Sequence, residues 1–118
     1  MSAIVYGPYS PVVSAGDFIF VSGQLGHTDP ATGGKNEGIV SQTGQCLENM
    51  QALLTSMNAS LDDVVKTTVF LKNADDFSKM NETYAQYFTG KKPARSTIVV
   101  SLLNPDMLIE IECVAYRP

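Results

Sequence analysis

The sequence carries one histidine, two cysteines and eight basic residues among 118, and charged side chains make up only 17% of it. Each shortage excludes something. A protein metal site needs roughly three or four converging ligands, and His27 has neither a cysteine nor a second histidine near it, so zinc is rejected. Cys46 falls in a helix-like stretch and Cys113 in a strand-like one; they provide no disulfide framework and read as reduced, buried, small apolar residues. The only adjacent basic pair, Lys91-Lys92, is too small a footprint for nucleic acid. Twelve acids against eight bases leave a net charge of -4, and that field opposes a phosphate backbone. No apolar run approaches the roughly 18 residues of a membrane span. The N-terminus has neither the basic start nor the long apolar stretch of a secretion signal. The expectation is a soluble cytoplasmic protein with no membrane or nucleic-acid partner.

What is present is enough for a core. The chain is 44% hydrophobic, and its length fits one domain over residues 1–118. A chain this short buries proportionally less surface than a larger one, which leaves room for oligomerisation.

Residues 93–112 organise the rest. Residues 97–103 are β-branched and aliphatic, residues 107–116 are again mostly apolar, and Asn104, Pro105 and Asp106 between them are turn formers. That pattern predicts an antiparallel hairpin. A period of two puts Leu108, Glu110, Glu112 and Val114 on one face of its second strand, with Met107, Ile109, Ile111, Cys113 and Ala115 on the other. Two carboxylates inside an apolar strand are costly unless they face water or are paired. Arg95, at the mouth of the first strand, is the natural counter-charge. The pair reads either as a structural ion pair, within or between subunits, or as a pocket for an anionic ligand.

Upstream, residues 3–10 predict a short edge strand broken by Gly7-Pro8 and Ser10-Pro11, which hold Tyr9 on a stiff segment. Tyr9 is either a ring packed at a sheet edge or one wall of a pocket. Residues 12–14 and 18–22 read as a hairpin turning at Gly16, with Gly23 ending the second strand where a neighbouring strand or a ligand approaches closely. Residues 26–38 form a polar loop. Ser41 caps a helix to about Met57, with Cys46, Leu47, Met50, Leu53, Leu54 and Met57 at helical spacing, and Gly44 marks close packing. Asn58 stops it. Residues 64–71 make a strand, and a second helix follows over 76–88, capped by Asp75 or Asn73, with Phe77, Met80, Tyr84 and Tyr87 or Phe88 as its stripe. Asn81 points either to solvent or to the sheet edge. Strands alternating with helices predict crossover units in a mixed α/β (α+β) sheet with both helices on one face. The other face, bearing Val, Phe and Thr, then needs a partner, and an oligomer supplies one.

The ordered set G-P-Y-S, F-V-S-G-Q, D-V-V-K-T-T-V-F-L, D-F-x-x-x-N-x-x-Y-x-x-Y-F, P-A-R-S and I-E-I-E-x-x-A covers nearly the whole chain and resembles the RidA (YjgF) family of reactive-intermediate deaminases. The resemblance implies a chorismate-mutase-like fold and a homotrimer with pockets at the clefts between subunits. It implies hydrolysis of enamine and imine intermediates, such as the 2-aminoacrylate released by pyridoxal-phosphate-dependent dehydratases, to a 2-keto acid and ammonia without a cofactor. Carried over residue by residue, Arg95 would hold the substrate carboxylate, and Glu110 would position water or relay a proton. Tyr9 would form a pocket wall, and the backbone of Gly23 would meet the ligand beside Ser22. Asn81 and Thr97 complete the substrate-binding set. The chain departs from the family at Pro11, where a glutamine or similar polar residue is usual, at Thr97, where many members have cysteine, and in a shorter loop over 88–93. These departures bear on substrate preference rather than fold. The competing function is a small-carboxylate (2-keto acid) binding or regulatory protein without significant deaminase activity, since a fold is no guarantee of chemistry. Nuclease activity, associated with relatives, is opposed by the acidic surface.

Overall fold

A computed structural model describes residues 5–118. Seven main elements follow in order: β1 Val12–Ala15, β2 Phe18–Leu25, α1 Gly38–Ser56, β3 Val64–Leu71, α2 Phe77–Tyr87, β4 Ala94–Val99 and β5 Ile109–Tyr116. The short 3₁₀ turns Leu61–Asp63 and Ala74–Asp76 lead into β3 and α2. No helix among the described residues is long and apolar enough to cross a membrane.

The five strands form one sheet in the order β1-β2-β5-β3-β4. β1 and β2 are the expected hairpin, joined at Gly16, whose φ of +59° a side chain would resist. The hairpin predicted over residues 93–112 does not form. β4 pairs in parallel with β3, while β5 inserts antiparallel between β2 and β3. The reason is burial. β5 alternates fully buried with half-buried or exposed residues along its length, so it is a central strand that needs a neighbour on each side. β4 has no fully buried residue and stays outermost. The crossover expectation holds twice: β3-α2-β4 joins adjacent parallel strands, and β2-α1-β3 joins parallel strands with β5 between them.

Both helices cover one face of the sheet, and α1 packs on α2, β2 and β5. Cys46, Leu47, Met50 and Leu54 from α1, with Met80 and Tyr84 from α2, close over Ile19, Val21, Val69, Leu71, Ile109, Ile111, Cys113 and Ala115. α1 starts three residues before Ser41, with Glu37 as its N-cap; the Ser41 hydroxyl instead donates to the Glu37 carbonyl. Its end is as expected. Asn58 takes φ +58°, and the Ala59 and Asn58 amides donate back to Leu54 and Thr55, a Schellman closure. Gly44 meets the Tyr87 hydroxyl of α2.

The edge strand predicted over residues 3–10 is also corrected. Residues 3 and 4 lie outside the described residues, and 6–9 form bends, with the Tyr9 amide donating to Gly7. Two prolines and a glycine leave too few regular donors for a ladder. The sheet face away from the helices is open. Val13, Phe18, Phe20, Ile98 and Tyr116 stand on it, Phe20 being 46% exposed.

Candidate active site

The register fixes which functional side chains can meet. Arg95 lies opposite Thr67 on β3, and Thr67 lies opposite Cys113 on β5. Those three share the helix-covered face. Glu110 lies opposite Phe70, three positions from Cys113, and so stands on the open face. The counter-charge expected from proximity in sequence is therefore absent within one chain. Among the described residues the ion pairs are Lys35–Asp106 and Arg117–Asp63. The sequence-predicted residues fall into two groups on opposite sides of the sheet.

The first group surrounds Arg95. A cleft of about 290 Å³ between α2, β4 and the loop joining them is lined by Asn81, Tyr84, Ala85, Phe88, Lys92, Pro93 and Arg95. The half-buried guanidinium lies 4.9 Å from the Tyr84 ring centre and 5.7 Å from that of Phe77. Asn81 turns inward, its Oδ1 buried with no hydrogen-bond partner. Thr97, two residues along the same face, is half-buried beside this cleft but does not line it. Phe77 and Tyr84 were legible only as an apolar stripe; that Phe77 is 44% exposed separates it from the core.

The second group surrounds Glu110. β2 does not end at Gly23 but runs on to Leu25 through a bulge, where Ser22 and Gly23 together oppose the single position Glu112. The glycine is needed because a Cβ there would overlap Oε2 of Glu110 and lie 2.7 Å from its Cδ. The carboxylate thus rests on the Gly23 backbone. Burial, and then the neighbouring Glu112, holds its ionisation above the usual carboxylate range. Ser22 donates through its hydroxyl to the Ser10 carbonyl at 2.7 Å, and its amide donates to Pro11 at 2.9 Å. These bonds tie the segment carrying Tyr9 to the bulge. Tyr9 itself is 45% exposed, and its hydroxyl accepts from the Tyr6 amide.

Sequence reasoning missed Gln42, the fastener of the loops at that end of the sheet. It is buried, donates to the carbonyls of Asn36 and Asp106, and accepts from the Leu108 amide. Gly26 packs on its backbone. A glutamine on the buried stripe of α1 was the available signal.

A mixed sheet with helices on one face defines an α/β protein, with an arginine that has no ion-pair partner among the described residues in a cleft on that side and a shielded carboxylate on the other. A family profile described as Endoribonuclease L-PSP matches residues 1–117. A RutC family protein of Pyrococcus horikoshii is 52% identical over 112 residues, covering 94% of this chain and 88% of its own length. The 2-iminobutanoate/2-iminopropanoate deaminase of Salmonella typhimurium is 41% identical over 114 residues, with coverages of 94% and 88%. The crystal structure of E. coli TdcF with bound serine superposes with a TM-score of 0.90 at 35% identity, covering 97% of this chain and 91% of that one. The chain belongs to the RidA (YjgF) family.

Proposed function

We propose that this protein is a hydrolytic deaminase that converts reactive enamine and imine intermediates, such as 2-aminoacrylate, to 2-keto acids and ammonia. The observation that carries this reading is Arg95, a half-buried guanidinium in a cleft with no carboxylate beside it among the described residues. A guanidinium grips a planar carboxylate through two parallel hydrogen bonds and fixes its orientation. The Salmonella relative bears the name of this activity, and TdcF was crystallised with serine, another small carboxylate.

The chemistry asks little of the protein. The imine carbon is already electrophilic. An enamine first takes a proton at its β carbon and loses one from nitrogen to become the imine. Water then adds as ionised Glu110 accepts its proton and passes it to nitrogen, giving a carbinolamine. The carbinolamine's hydroxyl proton moves to the amine as the C–N bond breaks and ammonia leaves the keto acid. Water is the only co-reactant. General acid–base help of this kind contributes roughly 10²–10⁴ in rate.

Since Arg95 and Glu110 lie on opposite faces of the sheet, a complete site takes Arg95 from one copy and Glu110 from another. Two different surfaces then meet, a heterologous contact of the kind that gives a closed ring when the rotation between copies closes. The open apolar face supports such an assembly: a homotrimer of chorismate-mutase-like subunits, each one domain over residues 1–118. Tyr9, Ser22 and Gly23 would then line the Glu110 side of each intersubunit pocket, and Asn81 and Thr97 the Arg95 side. The profile's description names RNA cleavage; a net charge of -4 disfavours a polyanionic substrate. The Arg95 cleft alone could hold a 2-keto acid, so the binding-protein reading remains the alternative to be tested.

The test mixes two variants, each lacking one half of the site. Arg95→Ala and Glu110→Gln chains, unfolded and refolded together in equal amounts, should regain about a quarter of wild-type sites, because one site in four draws both intact residues from different chains. Keto-acid release from a serine or threonine dehydratase is the readout. No recovery would refute the shared site, and wild-type protein that binds 2-ketobutyrate without speeding release would establish the binder.

A further inference from the structure

We propose that Tyr84, with Phe77 beside it, is the positioning residue for Arg95, holding the guanidinium against two rings without cancelling its charge, so that the cation stays available to the substrate carboxylate. This rests on the reading of Arg95 as the grip on the substrate carboxylate. An arginine that is only structural is usually fixed by a carboxylate, which takes up its N–H fork and cancels its charge. Here the two aromatic rings take that place, at 4.9 and 5.7 Å. A ring attracts the cation through its π-face and, unlike a carboxylate, leaves the positive charge uncancelled.

The Tyr84 ring is itself immobilised from several sides. Its hydroxyl hydrogen-bonds to the Thr67 hydroxyl at 2.7 Å, and Thr67 is fully buried. Phe88 packs against the ring with centres 4.7 Å apart. Thr67 also faces Arg95 directly across the β3–β4 ladder. One position on β3 therefore flanks the backbone of the arginine and anchors the ring over its head. A buried hydroxyl pair costs stability unless both members are satisfied; here it fixes the ring's tilt. Phe77, more exposed, closes the outer side of the same cation.

Dehydratase-coupled kinetics and calorimetric binding of 2-ketobutyrate test the cage. Tyr84→Leu should raise KM and the 2-ketobutyrate Kd together by about tenfold, with kcat within about twofold, because carboxylate grip acts equally on ground and transition states. Tyr84→Phe keeps the ring and should stay within about threefold of wild type, while Phe77→Leu, at an exposed position that folding tolerates, should weaken both constants about threefold. Tyr84→Leu protein with a lowered Tm but wild-type KM and Kd would overturn the proposal. If that variant does not fold, wild-type constants in Phe77→Leu would overturn it. Arg95→Ala separates the two failures. An unchanged 2-ketobutyrate Kd there sinks the carboxylate reading and the cage with it. Lost binding there, beside wild-type behaviour of Tyr84→Leu and Phe77→Leu, sinks the cage alone.

Discussion

Adding one methyl group at Gly23 should disable the protein without unfolding it. The backbone there can accept alanine, and what obstructs the new Cβ is the carboxyl end of Glu110, with Oε2 overlapped, Cδ at 2.7 Å and Cγ at 3.0 Å. Ordinary carbon contacts lie at about 3.5–4.0 Å, so the carboxylate must retreat by roughly 1 Å. A misplacement of that size costs on the order of 10²-fold in rate. The fold escapes because the displaced group is the tip of a flexible side chain, and replacing glycine stiffens the unfolded chain by about 0.4–1 kcal/mol. Gly26→Ala provides the contrast. Its Cβ would strike the backbone of Gln42, overlapping the carbonyl oxygen and coming within 2.7 Å of its carbon. Helix backbone cannot yield as a side chain does, so a loss of about 2–4 kcal/mol is expected. Keto-acid release and thermal melts of both variants decide the matter. Gly23→Ala should lose rate and keep its Tm; Gly26→Ala should lose Tm and keep its rate per folded molecule. Wild-type turnover in Gly23→Ala would refute the placement of Glu110 in the chemistry.

Three further outcomes follow from the same geometry. Ionised Glu110 is the form that accepts the proton, so kcat/KM should rise with pH through its elevated ionisation; Glu112→Gln removes a like charge and should move that limb to lower pH, while Glu110→Gln should abolish it. A limb that stays in place in Glu112→Gln would refute the coupling. Phe20→Glu places a charge on the open face at a 46% exposed site; sedimentation should show a shift to single chains together with lost turnover, and an unchanged mass would mean that this face is not the contact. Burial and then Glu112 push Cys113 up to about 12, and burial, followed by Glu110, raises Cys46 as well. Neither thiol should react with a disulfide reagent at about pH 8 until the protein is denatured, and fast labelling of the native protein would contradict the packing.

Local rules made much of the fold legible. The alternation in residues 107–116 assigned each side chain of β5 to its face, and the stripe of α1 marked its core side. What local rules could not give was the neighbour of each strand. Asn104, Pro105 and Asp106 do make turns, and the Asp106 amide donates to Asn104. But a turn between two strands does not oblige them to pair, and β3 separates β4 from β5. The bulge at Ser22-Gly23 was hidden for a related reason. Glycine signalled close approach, which is correct, yet whether the strand stops or bulges depends on what stands opposite. Thr67 carried no signal, since its importance arises only when Tyr84 arrives from α2.

The separation of Arg95 from Glu110 turns on one residue of parity. On neighbouring strands a side chain's face alternates with every step, so Arg95, level with Cys113, and Glu110, three steps away, must diverge. Sequence proximity had suggested that they meet in one chain, and chemistry still asks that they meet. Both hold if the catalytic distance is spanned between copies. The open face then has two uses with one cause: the apolar residues that would hold the copies together surround the carboxylate that the neighbouring arginine must approach. Under that arrangement assembly is a step in building the site, so selection for turnover would preserve the exposed phenylalanines of β2 as firmly as it preserves Glu110.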